Sequence, residues 1–339
     1  MKKKYQNAFF IFGSVVLVIM VTQLDFKAVY DGLRHAGYWF LAVVLLWAVL
    51  YALNTATWYT IIRSGSKEKP KISLPWLYKV TVSGFALNYA TPGGLMGGEP
   101  YKIMALSPKI GTERASSSVI LFAMTHIFTH FLFWQLSVFL FILTEPVNLL
   151  MGIILSAISA FCLLGIWFFM KGYQKGMAVR LMKFISHIPG IKGKAKGFIL
   201  RHQDQLDTID SQISSLHRQS RAAFIKAVLI ELSCRFLSAL EVMFVLLVLT
   251  PDVSFTQCVL ILAFTSLFAN LLFFMPLQLG GREGGFIMSA TSLSLSLSTG
   301  IFIALIVRIR ELVWTAIGLI LIKLEKRQTK AKAQTNTEP

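Results

Sequence analysis

The sequence predicts an all-α integral membrane protein with about six full transmembrane helices plus two oppositely oriented re-entrant helical hairpins in an inverted repeat. Three observations predict it. Of the 339 residues, 55% are hydrophobic and only 14% are charged, and the apolar residues come in long runs rather than amphipathic stripes, as in a chain whose solvent is hydrocarbon. Two of those runs are broken by glycine-rich, charged segments, Thr91-Pro-Gly-Gly-Leu-Met-Gly-Gly-Glu99 and Pro276-Leu-Gln-Leu-Gly-Gly-Arg-Glu-Gly-Gly285. Lipid tolerates non-helical backbone only where protein or a watery cavity surrounds it, so two such breaks point to a built site. Lys and Arg, finally, collect in some connecting stretches and are missing from others, which orients the chain.

The full spans fall at about 8–22, 37–62, 115–143, 149–170, 222–249 and 300–322. Lys2, Lys3 and Lys4 precede the first, as in a signal peptide, but no small-residue cleavage site follows and further spans do, so a retained anchor is expected. Basic residues are dense from Arg63 to Lys71, from Lys171 to Arg221 and from Lys323 to Lys332, and absent from 144–148 and 250–253. The positive-inside rule therefore places both termini, the amphipathic loop 171–221 and the basic tail 323–339 on the cytoplasmic side of the cell's inner membrane.

The arms 76–90 and 95–106, and likewise 258–274 and 286–299, are too short at about 1.5 Å per residue to cross a core of about 30 Å. Each pair reads as a re-entrant hairpin, 76–106 entering from the cytoplasm and 258–299 from outside; the alternative is one long kinked span. The order span, hairpin, span then occurs twice with opposite orientation, in 37–143 and 222–322, and puts both glycine turns near the bilayer centre.

A charge at the bilayer centre costs about 2.5–3.5 kcal/mol on insertion scales, so Glu99, Lys102, Arg282, Glu283, Glu231, Arg235, Glu241, Arg308 and Glu311 need partners or water. The second arm of each hairpin begins just after glycines and offers free N–H groups and a positive dipole end. With Lys102, Arg282 and Arg308, which outnumber Glu99 and Glu283, this reads as a phosphate cradle in which the carboxylates hold the cations, receive a substrate amine or exchange protons. The plain alternative makes Glu99 with Lys102, and Arg282 with Glu283, structural pairs. Glu231 with Arg235 and Arg308 with Glu311 have the spacing of structural pairs on one helix face, whereas Glu241 has no local partner.

The residues Asn88, Pro92, Gly97, Gly98, Glu99 and Lys102, followed by Pro276, Gly280, Gly281, Arg282, Glu283 and Arg308, resemble the flippase-type membrane region of the lysylphosphatidylglycerol synthase family. The resemblance covers nearly the whole chain and includes the number and order of segments. It implies an integral membrane protein that moves or presents lipids, as in the membrane region of the multiple peptide resistance factor, here without the synthase domain. It also implies that Asn88, Gly97, Gly98, Glu99, Lys102, Gly280, Gly281, Arg282, Glu283 and Arg308 bind the lipid. Lys102 stands where relatives more often have arginine, which implies a point donor there instead of a bidentate fork.

Other features read more plainly. His126 and His130 share a helix face at a spacing that can hold a metal, but no zinc-protease glutamate accompanies them, and with Thr125, Thr129 and Gln135 they read as a polar cavity wall. Cys162, Cys234 and Cys258 are expected to be buried thiols, and the seven tryptophans, mostly near segment ends, an interfacial belt for the most part. The loop carries one apolar stripe through Leu181, Phe184, Ile185 and Ile188, expected on the cytoplasmic leaflet, and another through Leu206, Ile209, Ile213 and Leu216, expected against the bundle or a partner.

A net charge of +17, carried mostly by loop and tails, fits anionic headgroups better than nucleic acid. The expected activity is that of a lipid flippase or transporter for an anionic or aminoacylated phospholipid, with no cofactor and no catalytic residues. A homo-oligomer or a lipid-synthesising enzyme is the expected protein partner. The rivals are a membrane transferase acting on a lipid-linked substrate and an accessory scaffold.

Overall fold

The computed structural model describes residues 26–64, 71–90, 97–175, 221–271, 281–293 and 295–335, with a few positions between 203 and 214. The described residues form ten helices and no strand. They are α1 (Phe26–Ala36), α2 (Tyr38–Arg63), α3 (Leu74–Ala90), α4 (Gly98–Ile110), α5 (Thr112–Thr144), α6 (Leu149–Lys175), α7 (Arg221–Leu246), α8 (Phe255–Leu271), α9 (Gly281–Ser292) and α10 (Leu297–Thr335). Two of the joints need glycine. Gly37 between α1 and α2 and Gly111 between α4 and α5 have φ of 53° and 83°, the left-handed region in which a side chain is strained.

Five expected spans correspond to α2, α5, α6, α7 and α10, and the span at 8–22 lies outside the described residues. Among the described residues, Tyr38–Arg63, Thr112–Thr144 and Leu149–Lys171 are long and apolar enough to cross a membrane. At 26 residues, α7 reaches about 39 Å, and α10 is longer, but both carry charges within their length. The arms of the expected hairpins correspond to α3 with α4 and α8 with α9, while both connecting turns, 91–96 and 272–280, lie outside the described residues.

Several boundaries differ from the sequence reading. The last expected arm, 286–299, is helical already from Gly281 and ends at Ser292, because the chain turns at Leu293 before α10 starts at Leu297. The polar tail continues α10 to Thr335, its Lys, Gln and Ala being good helix formers. Helix α6 extends into the expected loop as far as Lys175, and both loop stripes lie outside the described residues.

The chain divides into two compact units. One comprises Met1–Ala52, Ser73–Lys102 and Cys234–Pro339; here α10 packs on α3, α9 and α1, and α8 packs on α9. Helix α10 is covered on nearly all sides, with Ile303, Ile306, Val307, Leu319 and Ile322 buried. It approaches α3 closely at Gly318, where a Cβ would lie 2.9 Å from the Val82 carbonyl, and Ser83 donates a 3.1 Å hydrogen bond to the Gly318 carbonyl. Gly285 and Gly300 similarly let α9 approach α8 and α10: a Cβ on the first would meet Thr265 Cα at 3.2 Å, and on the second Ile287 Cα at 2.7 Å.

The other unit comprises Leu53–Ile72 and Ile103–Ser233. In it α6 lays a seam of Leu155, Cys162 and Phe169, seven residues apart, toward α5 and leaves Leu150, Ile153, Leu164, Trp167 and Phe168 exposed. A helix with so much apolar surface uncovered has lipid as its solvent. All three cysteines are buried and free, as expected. Three tryptophans stand apart from the expected belt: Trp58, Trp134 and Trp314 are core residues, Trp58 stacking on Phe122 and Trp314 donating its indole N–H to the Val44 carbonyl at 3.3 Å. An indole is apolar enough over its ring face to sit inside a bundle, and in Trp314 the N–H also finds an acceptor.

Candidate functional site

The candidate residues gather in one unit, on α3, α4, α9 and α10, and form two adjoining clusters. The first is built on the start of α4. Gly97 and Gly98 are buried, and the Gly98 N–H donates to Asn88 Oδ1 at 2.7 Å, so an α3 side chain caps the α4 N-terminus. The glycine is obligatory, because a Cβ at 98 would run into the Gly84 carbonyl and lie 2.6 Å from Asn88 Oδ1. The Asn88 amide then donates to Glu99 Oε1 at 2.9 Å, and Glu99 receives Lys102 Nζ at 3.1 Å. Lys102 is wholly buried, its stem lying across Gly84 and its ammonium 4.7 Å from the centre of the Phe85 ring.

The second cluster joins α9 and α10 to Tyr89, the residue after Asn88. Arg308 donates to Glu283 and to the Tyr89 hydroxyl, and that hydroxyl donates to Glu311. Arg282 pairs with Glu311, which lies 3.7 Å from Arg308. The expected local pair of Arg282 with Glu283 is therefore replaced by two crossed pairs, Arg282 with Glu311 and Arg308 with Glu283. Glu283 and Arg282 point in different directions from the first turn of α9, so each finds its counter-charge on α10 instead. Gly281 starts that turn and is buried, whereas Gly280, like Pro92 and Pro276, lies outside the described residues.

Two members of this network were missed by sequence reasoning. Tyr89 bridges Arg308 and Glu311, and its signal was a hydroxyl beside Asn88 in an otherwise apolar helix end. Arg310 grips Glu241 with two nearly parallel bonds of 2.7 and 3.0 Å and stacks 3.8 Å from the Trp47 ring centre. Glu241, which had no local partner in the sequence, thus has one on another helix. The signal for Arg310 was its spacing: two residues from Arg308 on a helix, it faces another side and needs a carboxylate of its own.

These partners overturn the expected excess of positive charge. Lys102, Arg282, Arg308 and Arg310 meet Glu99, Glu311, Glu283 and Glu241 respectively, so the network balances at zero. Buried charges are tolerable only when paired and hydrogen-bonded, and this arrangement meets that demand with four cations and four carboxylates. Exposure within it is graded. The side chains of Arg282 and Glu283 are 30% and 34% exposed, against 9% for Arg308 and 6% for Glu311.

In the other unit, His126 Nδ1 lies 2.5 Å from Glu231 Oε1, and His130 meets the edge of the His126 ring. Glu231 therefore pairs across helices and is not confined to the expected Arg235 partnership. Thr125 and Thr129 spend their hydroxyls on the Leu121 and His126 carbonyls, whereas Gln135 accepts from Ser159 of α6. Among the described residues, no three His, Cys, Asp or Glu side chains are grouped to hold a metal ion.

Long apolar helices with bare lipid-facing surfaces, together with a neutralised charge network inside, define a helical membrane protein with a polar interior site. Residues 8–318 match the family described as the lysylphosphatidylglycerol synthase TM region, and the chain belongs to that family. Membership places it in the membrane and connects it with lipid. No curated protein and no solved structure matches the chain.

Proposed function

We propose that this protein is a lipid flippase or lipid transporter that moves a phosphate-bearing, and in one form aminoacylated, lipid across the cytoplasmic membrane without changing it chemically. The observation that carries the reading is the balanced charge network whose exposed edge is Arg282 and Glu283 and whose buried floor is Arg308, Glu311 and Tyr89. A purely structural ion-pair lattice gains nothing from an exposed edge, and replacing such a lattice with apolar side chains is often neutral or stabilising. A site that receives a charged headgroup needs both an open edge and fixed donors behind it.

In this reading α3 with α4 and α8 with α9 are the two re-entrant hairpins of an inverted repeat, and both termini are cytoplasmic. Asn88, Gly97, Gly98, Glu99 and Lys102 line the site from one hairpin, and Gly281, Arg282 and Glu283 from the other, with Arg308 on α10. A phosphate would engage the arginines, and an amine on an aminoacylated headgroup would engage Glu99 or Glu283.

The test uses purified protein in liposomes that contain a headgroup-labelled phospholipid. Movement of unmodified lipid between leaflets supports the proposal. A chemically altered lipid would instead make the protein a transferase, and inert liposomes would leave it an accessory scaffold; either result overturns transport.

A further inference from the structure

We infer that Glu283 is an internal stand-in for the substrate, a carboxylate that holds Arg308 until the phosphodiester of one lipid headgroup displaces it. The inference rests on the transport reading above and names the class of headgroup that the same site takes.

Two carboxylates contact the arginines of the second cluster, and they are held very differently. Glu311 is anchored by Arg282 and by the Tyr89 hydroxyl, lies 3.7 Å from Arg308 and 3.9 Å from Arg310, and has a side chain only 6% exposed. Glu283 reaches Arg308 from the first turn of α9 and is 34% exposed, the most open carboxylate of the network. That openness leaves its side chain room to rotate away from Arg308. Glu311 cannot leave without stranding Arg282 and the tyrosine hydroxyl together.

Charge then fixes the class of ligand. With Glu283 in place, Arg282, Arg308, Glu283 and Glu311 sum to zero; once it swings out, the buried remainder carries one positive charge. One negative charge restores the balance, which is that of a phosphodiester. A phosphate monoester, at about −1.5 to −2 near neutral pH, overfills the site. A guanidinium accepts carboxylate and phosphate oxygens with the same planar fork, so Arg308 can exchange one for the other without moving far. Tyr89 stays bonded to Glu311 throughout and keeps the second carboxylate from following.

The exchange makes a prediction that a structural pair does not. In Glu283→Gln the competitor has lost its charge and Arg308 awaits an anion, so the variant should retain phosphatidylglycerol more tightly than wild type. The expected gain is about tenfold, equivalent to about 1.4 kcal/mol. The measurement is lipid retention in native mass spectrometry of full-length protein, with phosphatidylglycerol, phosphatidic acid, diacylglycerol and glycerophosphoglycerol as probes. The gain should be largest for phosphatidylglycerol, smaller for phosphatidic acid and absent for diacylglycerol.

An equal gain with glycerophosphoglycerol, which has no acyl chains, would overturn a lipid as the source of the diester. If Glu283→Gln fails to fold, Glu283→Asp gives the readout, because its shorter reach makes it a weaker competitor and its retention should also exceed wild type. Unchanged or lower phosphatidylglycerol retention in the folded variants sinks the exchange. The liposome assay separates this failure from that of the transport reading. Wild type that moves lipid while the variants bind no tighter refutes the exchange alone, and tighter binding with no movement in wild type refutes transport alone.

Discussion

Arg282 and Arg310 are both arginines paired with glutamate, yet their substitution should have opposite effects. Arg310→Ala takes from buried Glu241 the guanidinium that grips both its oxygens, and breaking a buried pair in this way costs about 3–5 kcal/mol. The variant should unfold at a much lower temperature in detergent. Arg282 is 30% exposed, and its partner Glu311 keeps the Tyr89 hydroxyl and the nearby Arg308, so Arg282→Ala should keep a near-wild-type melting temperature while lipid movement in liposomes is lost. Normal movement by that variant would remove Arg282 from the proposed site. Lys102 belongs with Arg310: it is fully buried on Glu99, and Glu99→Gln strips its counter-charge, so a melting transition well below wild type is expected. Residue-scale chemistry was legible in the sequence only as need. Each embedded charge announced that it required a partner, but i, i+3 and i, i+4 spacing nominates neighbours on one helix, and the partners of Glu241, Glu283 and His126 lie 69, 25 and 105 residues away.

At the scale of elements, the helix positions were legible because hydrocarbon-length apolar runs leave few other readings, and the start of α4 was legible to within three residues, whereas α9 starts five residues before the expected 286 because its glycine pair lies inside the helix. Their ends were not legible. The turn after Ser292 is written in a Ser- and Leu-rich stretch that alternates without proline or glycine, and nothing local in it separates a helix break from a continuous helix. The close approaches were equally hidden, since a glycine inside an apolar run looks the same whether a neighbouring backbone lies against it or not. Gly318 is the case with the sharpest consequence. Adding a leucine side chain where Val82 O would lie 2.9 Å from a mere Cβ must push α3 and α10 apart, and overpacking of this kind costs about 1–3 kcal/mol. Gly318→Leu should therefore lower the melting temperature, whereas Gly152→Leu should not, its site being open except for Val147 Cγ1 at 3.7 Å. Equal effects from the two substitutions would show that the α3–α10 contact is not tight.

At the scale of the whole molecule, the proposed orientation rests on where Lys and Arg fall in the connecting stretches. Single cysteines in place of Lys109, at the exposed end of α4, and of Asp252, in the exposed turn before α8, should react oppositely with an impermeant thiol reagent, the second from outside and the first only after permeabilisation. Labelling of position 109 from outside would refute the paired hairpins. Helix α10 gives the molecule a further property, which concerns how it is made. It brings Arg308, Arg310 and Glu311 into the bilayer on one segment, each costing about 2.5–3.5 kcal/mol if inserted alone, and it follows α7 and α9 in the chain. Until it arrives, Glu241 on α7 and Glu283 on α9 wait in the membrane without the arginines that neutralise them. Entry of this charged helix therefore coincides with the neutralisation of its neighbours. A chain stopped before Leu297 leaves Glu241, Glu283 and Arg282 all without the partners that α10 supplies, a ready signal for the proteases that clear unassembled membrane proteins.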